Sequence, residues 1–140
     1  MLRDAHLPEP KFELGGKRYV LTETYYGVTL VGGRDFDNGY VRYNGLTGQV
    51  TARTGYSWDG CSIPRWVPFV RRTKKTKVAG LLHDISYQLG REGVFAGVTQ
   101  AREVIDAYFF HNLKAKKVSD WKARAMYTAV RGFGASSFRK

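Results

Sequence analysis

Cysteine is almost missing from this chain: its 140 residues include one, Cys61. A single thiol forms no internal disulfide, so a disulfide scaffold is excluded and the fold has to stand on its core. Cys61 has neither a second cysteine nor a base beside it, which argues for a small buried residue and against a nucleophile. Long apolar runs are missing too. No stretch approaches the roughly 20 apolar residues of a membrane span. The first residues, Met1-Leu2-Arg3-Asp4-Ala5-His6, are polar and lead to Pro8 and Pro10, unlike a signal peptide. Neither an internal repeat nor a low-complexity tract is found. Acids are scarce, with 12 Asp and Glu against 23 Lys and Arg, and the net charge is +11. Anions are therefore the natural partners: nucleic acid, lipid headgroups or an acidic protein surface.

What is present suits one domain over residues 1–140. The hydrophobic fraction is 43%, too high for a disordered chain, and nine Tyr and eight Phe supply rings for a core. Residues 1–55 read mainly as short strands. Phe12 and Leu14 precede Gly15-Gly16, then Tyr19-Val20-Leu21 follows, a hairpin signal. Tyr26, Val28 and Leu30 alternate with polar or small residues. Asp37-Asn38-Gly39 marks a turn before Tyr40, Val41 and Tyr43. Gln49 to Thr54 is a strand polar enough for a sheet edge. Together these predict an antiparallel β meander with one buried face.

After residue 77 the period becomes helical. Val78, Leu81, Leu82, Ile85 and Leu89 make one stripe, with Gly90 as its C-terminal cap. Thr99 is placed to cap a second helix carrying Ile105, Tyr108, Phe109 and Leu113. Ser119 is placed to cap a third, with Trp121, Ala125, Thr128 and Ala129 inward. Strands followed by three helices over 78–134 give an α+β fold, with helices 78–89 and 100–114 packed antiparallel. Between the halves, residues 56–77 read as a loop without regular structure, ending in Arg71, Arg72, Lys74, Lys75 and Lys77. Those five cations are expected at the surface, against an anionic partner.

His83, Asp84 and Tyr87 carry the chemistry. His83 and Tyr87 are four apart and share a helix face, while Asp84 points about 100° away. A histidine can take a proton from water once a second group fixes its tautomer. Asp106 is the candidate, expected within roughly 2.6–3.2 Å of the ring or one water away. Asp84 suits a hard cation such as calcium, helped by carbonyl oxygens of the Asp59-Gly60-Cys61 loop. The bland reading stands beside this one: the His-Asp pair as structure, Asp106 paired with Arg102, Tyr87 as core, Asp59-Gly60 as a turn. His6 and His111 look peripheral.

Trp58-Asp59-Gly60-Cys61-Ser62-Ile63-Pro64-Arg65, Ala79 to Tyr87, Arg102 to Phe110 and Tyr127 to Gly134 resemble a family of uncharacterised proteins common in phages and prophages. Its pattern is DGxSIPR, AxxxHDxxY, an arginine shortly before DxxF, and a last helix ending in a Val-Arg-x-Phe-Gly-like run. The same blocks resemble microbial and viral phospholipase A2. That resemblance implies His83 as base, Asp106 as its orienting partner, and Tyr87 and Tyr127 as hydroxyls supporting the aspartate. It also implies Asp84 as a Ca2+ ligand, with Asp59 and Gly60 in the calcium loop. The glycine-rich calcium loop and the disulfides of the animal secreted enzymes are absent; virus-borne members also lack the disulfides.

Three functions follow as expectations. One is a calcium-assisted lipid ester hydrolase, made in the host cytoplasm and carried in a virion to breach an anionic membrane. The second is a non-enzymatic particle component whose basic surface packs on other phage proteins. The third is a DNA binder using Arg71 to Lys77 and Lys114 to Lys117, supported by charge alone. In the scaffold reading a basic side chain, with Arg65 the first candidate, takes the metal's place on Asp84.

Overall fold

The computed structural model describes residues 10–15, 18–58, 74–133 and 138. Seven strands come first and three helices after them, the expected α+β order. The strands are β1 (Phe12–Gly15), β2 (Arg18–Leu21), β3 (Tyr25–Val28), β4 (Phe36–Asp37), β5 (Val41–Tyr43), β6 (Gln49–Ala52) and β7 (Ser57–Trp58). The helices are α1 (Lys74–Arg91), α2 (Ala101–Ala115) and α3 (Asp120–Phe133).

All strand pairs are antiparallel, and they divide into two sheets of order β1-β2-β7 and β3-β6-β5-β4. The β1–β2 hairpin pairs Gly15 with Arg18. Two strand expectations change. Gln49–Ala52 is interior, pairing with both β3 and β5; its polar Gln49 and Thr51 mark the face opposite the buried Val50 and Ala52, not a sheet edge. Ser57–Trp58, expected as loop, pairs with Val20 and Tyr19 of β2, and the Trp58 indole is fully buried.

The buried face of β3 is also the opposite of the one expected. Tyr26 and Val28 are exposed, while Tyr25, Gly27 and Thr29 face inward. The cause is the approach of α1. A side chain on Gly27 would meet the Tyr25 ring at 3.1 Å and Leu82 Cδ1 at 3.5 Å. Thr29 Oγ1 lies 2.6 Å from Ser86 Oγ, a bond that fixes strand against helix. A one-residue shift of face follows from that contact.

Leu82, Ile85 and Leu89 of α1 join the strand residues Tyr25, Tyr43 and Val50 in one core cluster. A second cluster joins Ala79 of α1, Phe109 and Leu113 of α2, and Ala123, Met126 and Val130 of α3. In α3 the inward stripe is therefore 123, 126 and 130, an i, i+3, i+7 row. Trp121, expected inward, is 59% exposed, and Thr128 is exposed as well.

Helix ends explain the remaining differences. α1 runs past Gly90 and stops in a Schellman motif: Gly93 N–H donates to Gly90 O, Val94 N–H to Leu89 O, and Gly93 takes φ +77°. Thr99 does not cap α2; Gln100 occupies that position at φ 57°, with no side-chain cap bond. The end of α2 repeats the Schellman pattern, with Lys117 N–H on Lys114 O and Val118 N–H on Leu113 O. There, however, the left-handed residue is Lys117, at φ 67°. A Cβ in that region crowds the following carbonyl, which costs roughly 1 kcal/mol. Lys117→Gly is expected to stabilise the fold by about that amount in urea denaturation, whereas Lys117→Ala should leave the cost in place.

Candidate active site

α1 and α2 run antiparallel, so residues one turn apart on α1 face residues one turn apart on α2. His83 Nε2 lies 2.8 Å from Asp106 Oδ1, inside the expected range. Tyr87 Oη, one turn further along α1, donates to the same oxygen at 2.7 Å. The His83 ring lies between the Tyr87 and Phe109 rings, at centroid distances of 4.3 and 4.5 Å. Neither His83 nor Asp106 has any exposed side-chain surface.

The second carboxylate oxygen is held by α3 and by α2 itself. Arg131 Nη1 donates to Asp106 Oδ2 at 2.8 Å, and Arg102 Nε is 3.7 Å from it. Arg102 also donates through Nε to Tyr87 Oη at 3.2 Å. Its Nη2 donates to the carbonyls of Val130 and Arg131, both at 2.7 Å. Those carbonyls belong to the last turns of α3, where a cation also opposes the negative end of the helix dipole.

The network fixes protonation. Burial would raise the Asp106 carboxyl, but bonds from His83, Tyr87 and Arg131 hold it below its ordinary value. An ionised carboxylate only accepts, so His83 carries its proton on Nε2, and in the neutral ring Nδ1 keeps the lone pair. Burial pushes the imidazole below its ordinary value; Asp106 opposes that shift and Arg102 adds to it. Burial and the neighbouring Asp106 raise the Tyr87 hydroxyl, keeping it a neutral donor.

Tyr127, expected to support the aspartate, does not reach it. Its ring packs on Phe110 at 5.7 Å, and Arg131, one turn later on the same face, makes the contact with Asp106. The signal for Arg131 was its place in the closing Val130-Arg131-Gly132-Phe133 run, four residues after Tyr127. Asp106 is not left to Arg102 alone, as the bland reading had it. Asp84 follows His83 on α1 and is half-buried. Asp59, Gly60, Cys61, Arg65, Arg71 and Arg72 lie outside the described residues, while Lys74, Lys75 and Lys77 belong to the first turn of α1. Among the described residues, no group of three or more His, Cys, Asp and Glu side chains gathers into a metal cage. Asp84 offers a calcium ion one hard oxygen ligand, and its partners in such a site would have to come from elsewhere.

A void of about 10 Å³ beside His83 was not foreseen; Thr29, Ser86 and Asn112 line it. That is about the space of one water. Asn112 is buried, and its Oδ1 has no hydrogen-bond partner among the described residues.

Over residues 38–130 the chain matches the family described as Protein of unknown function (DUF1353). The chain belongs to this family. The matched span includes His83, Tyr87, Arg102 and Asp106, so the dyad and its helix pair fall within the family's domain. No curated protein and no solved structure matches the chain.

Two outcomes are expected. Asp106→Ala should cost about 3–5 kcal/mol in urea denaturation, because it leaves the buried His83 and Tyr87 donors without an acceptor. The pH dependence follows from His83. Its folded value lies below the unfolded 6.5, so the unfolded chain binds the extra proton. The stability it contributes is complete above that value and is lost as pH falls below it. His83→Gln, which does not titrate, should show a shallower loss of stability than wild type between about pH 7.5 and 5.5.

Proposed function

We propose that this chain is a phospholipase A2-like ester hydrolase with His83 as general base and Asp106 as its orienting residue. One observation carries the reading: His83 Nε2 and Tyr87 Oη share a single oxygen of a buried carboxylate on the antiparallel helix. That arrangement sets the tautomer and stabilises the imidazolium once it forms. The Nδ1 lone pair takes a proton from water as the water oxygen bonds to the ester carbonyl carbon. The imidazolium then returns the proton to the departing alkoxide as the ester bond breaks, giving a fatty acid and a lysolipid. Polarising the ester carbonyl is the chemistry that calcium bound at Asp84 would supply. The resemblance to phage and prophage proteins supports a role on a virus particle, where the enzyme would open a host membrane.

A second reading has its own observation. Asp106 is satisfied by two hydrogen-bond donors and two guanidiniums, and His83 has no exposed surface. A saturated buried network is also what a non-enzymatic particle component needs to lock three helices. The hydrolase requires water and lipid to reach His83; the scaffold does not.

The deciding experiment measures fatty acid release from phospholipid vesicles, with calcium and with a chelator. The hydrolase reading expects release by wild type and a fall of roughly 100- to 10,000-fold in His83→Ala. It also expects millimolar calcium to raise the melting temperature of wild type but not of Asp84→Asn. A folded wild type that releases no fatty acid under either condition would leave the scaffold reading standing.

A further inference from the structure

The antiparallel helices bring three sequence segments to one pole of the molecule. Contacts from Tyr87 to Arg102 and from His83 to Phe109 set α1 against α2. Contacts from Asp106 to Arg131, Phe110 to Tyr127 and Lys114 to Asp120 set α2 against α3. The first turn of α1, the last turn of α2 and the first turn of α3 therefore lie together. Residues 74–77 and 114–124 hold eight cations, Lys74, Lys75, Lys77, Lys114, Lys116, Lys117, Lys122 and Arg124, against one acid, Asp120. Asp120 is already shared, at 3.1 Å from Lys114 Nζ and 2.7 Å from Arg124 Nε.

Three features of this pole run against the preferences of the fold. α1 opens with lysines and has no acid in its first turn, although the helix dipole there favours negative charge. Lys117 occupies a left-handed position, φ 67°, that glycine would fill without strain. Trp121 leaves its indole 59% exposed. Local rules broken together at one place mark a surface shaped by something outside the chain.

We propose that this pole is a docking surface for an anionic lipid bilayer. Residues of the three helix ends carry seven net positive charges, a balance complementary to a plane of phosphates, and each well-placed cation contributes about 1 kcal/mol. An indole among cations is suited to the headgroup layer, where its ring reaches apolar chains and its N–H stays among polar groups. Single-stranded nucleic acid is a poorer fit, since its binders stack successive bases on several aromatics. Trp121 is the one exposed large aromatic among the described residues of α2 and α3. The surface shares only a lipid target with the proposed hydrolase, and it stands whether or not His83 is catalytic.

The test is co-sedimentation with vesicles of phosphatidylglycerol and phosphatidylcholine, with pure phosphatidylcholine vesicles and a short DNA duplex as the other arms. Binding is expected to the anionic vesicles alone, and to weaken with salt. Trp121→Ala should weaken it several-fold. The triple variant Lys116→Ser, Lys117→Ser, Lys122→Ser should weaken it on the order of 100-fold. Lys117→Gly guards against misfolding: it should lose roughly fivefold in affinity while melting higher than wild type. Wild type that binds anionic vesicles yet releases no fatty acid from them would separate this surface from the hydrolase. Equal binding to neutral vesicles overturns the proposal. So does full anionic-vesicle binding by both Trp121→Ala and the triple variant. Tighter binding to the duplex, unaffected by Trp121→Ala, would make the pole a nucleic-acid surface instead.

Discussion

A carboxylate with no solvent contact has to be surrounded by donors before the chain can close over it. Asp106 is such a group, and each of the three helices contributes to its shell. α1 supplies an imidazole and a phenol, α2 supplies Arg102 from one turn away, and α3 supplies Arg131. The spacing of those donors sets the antiparallel order and axial register of the helices. Apolar stripes alone would tolerate sliding by a turn; a buried charge with directional partners does not.

The sheets enter this arrangement through α1. Gly27 clears the way for Leu82, and the Thr29–Ser86 bond holds β3 to the turn of α1 that carries His83. His83 therefore sits at the seam between two core clusters, one shared with strands and one shared among helices. A ring so placed is rigid, and its electrostatics come from fixed neighbours rather than from water.

Much of this was legible in the sequence. The i, i+4 spacing of His83 and Tyr87, and an aspartate on the next amphipathic stretch, were enough to place the dyad, because helical geometry is regular. For Arg131 the sole signal is its place in the closing Val130-Arg131-Gly132-Phe133 run; by charge and position alone, a cation near a helix end reads as solvated, as Arg124 does. Tyr127 was preferred by resemblance and lost by one turn. The face of β3 was misread because Tyr26 and Val28 look like core; what decides is the absence of a side chain at Gly27. Trp121 was placed inward by hydrophobicity, although the small residues Ala123 and Ala129 are what allow α3 to pack closely.

The grip of Arg102 on the carbonyls of Val130 and Arg131 bears on how this molecule comes apart. Releasing α3 alone would withdraw Arg131 from Asp106, free the Arg102 guanidinium and uncover the apolar side chains beneath α3. Fraying from that end therefore meets a barrier one turn in, and the helical layer has no cheap partly open form. Amide protons across α1, α2 and α3 should exchange as one cooperative unit, with protection set by global unfolding rather than by each helix separately.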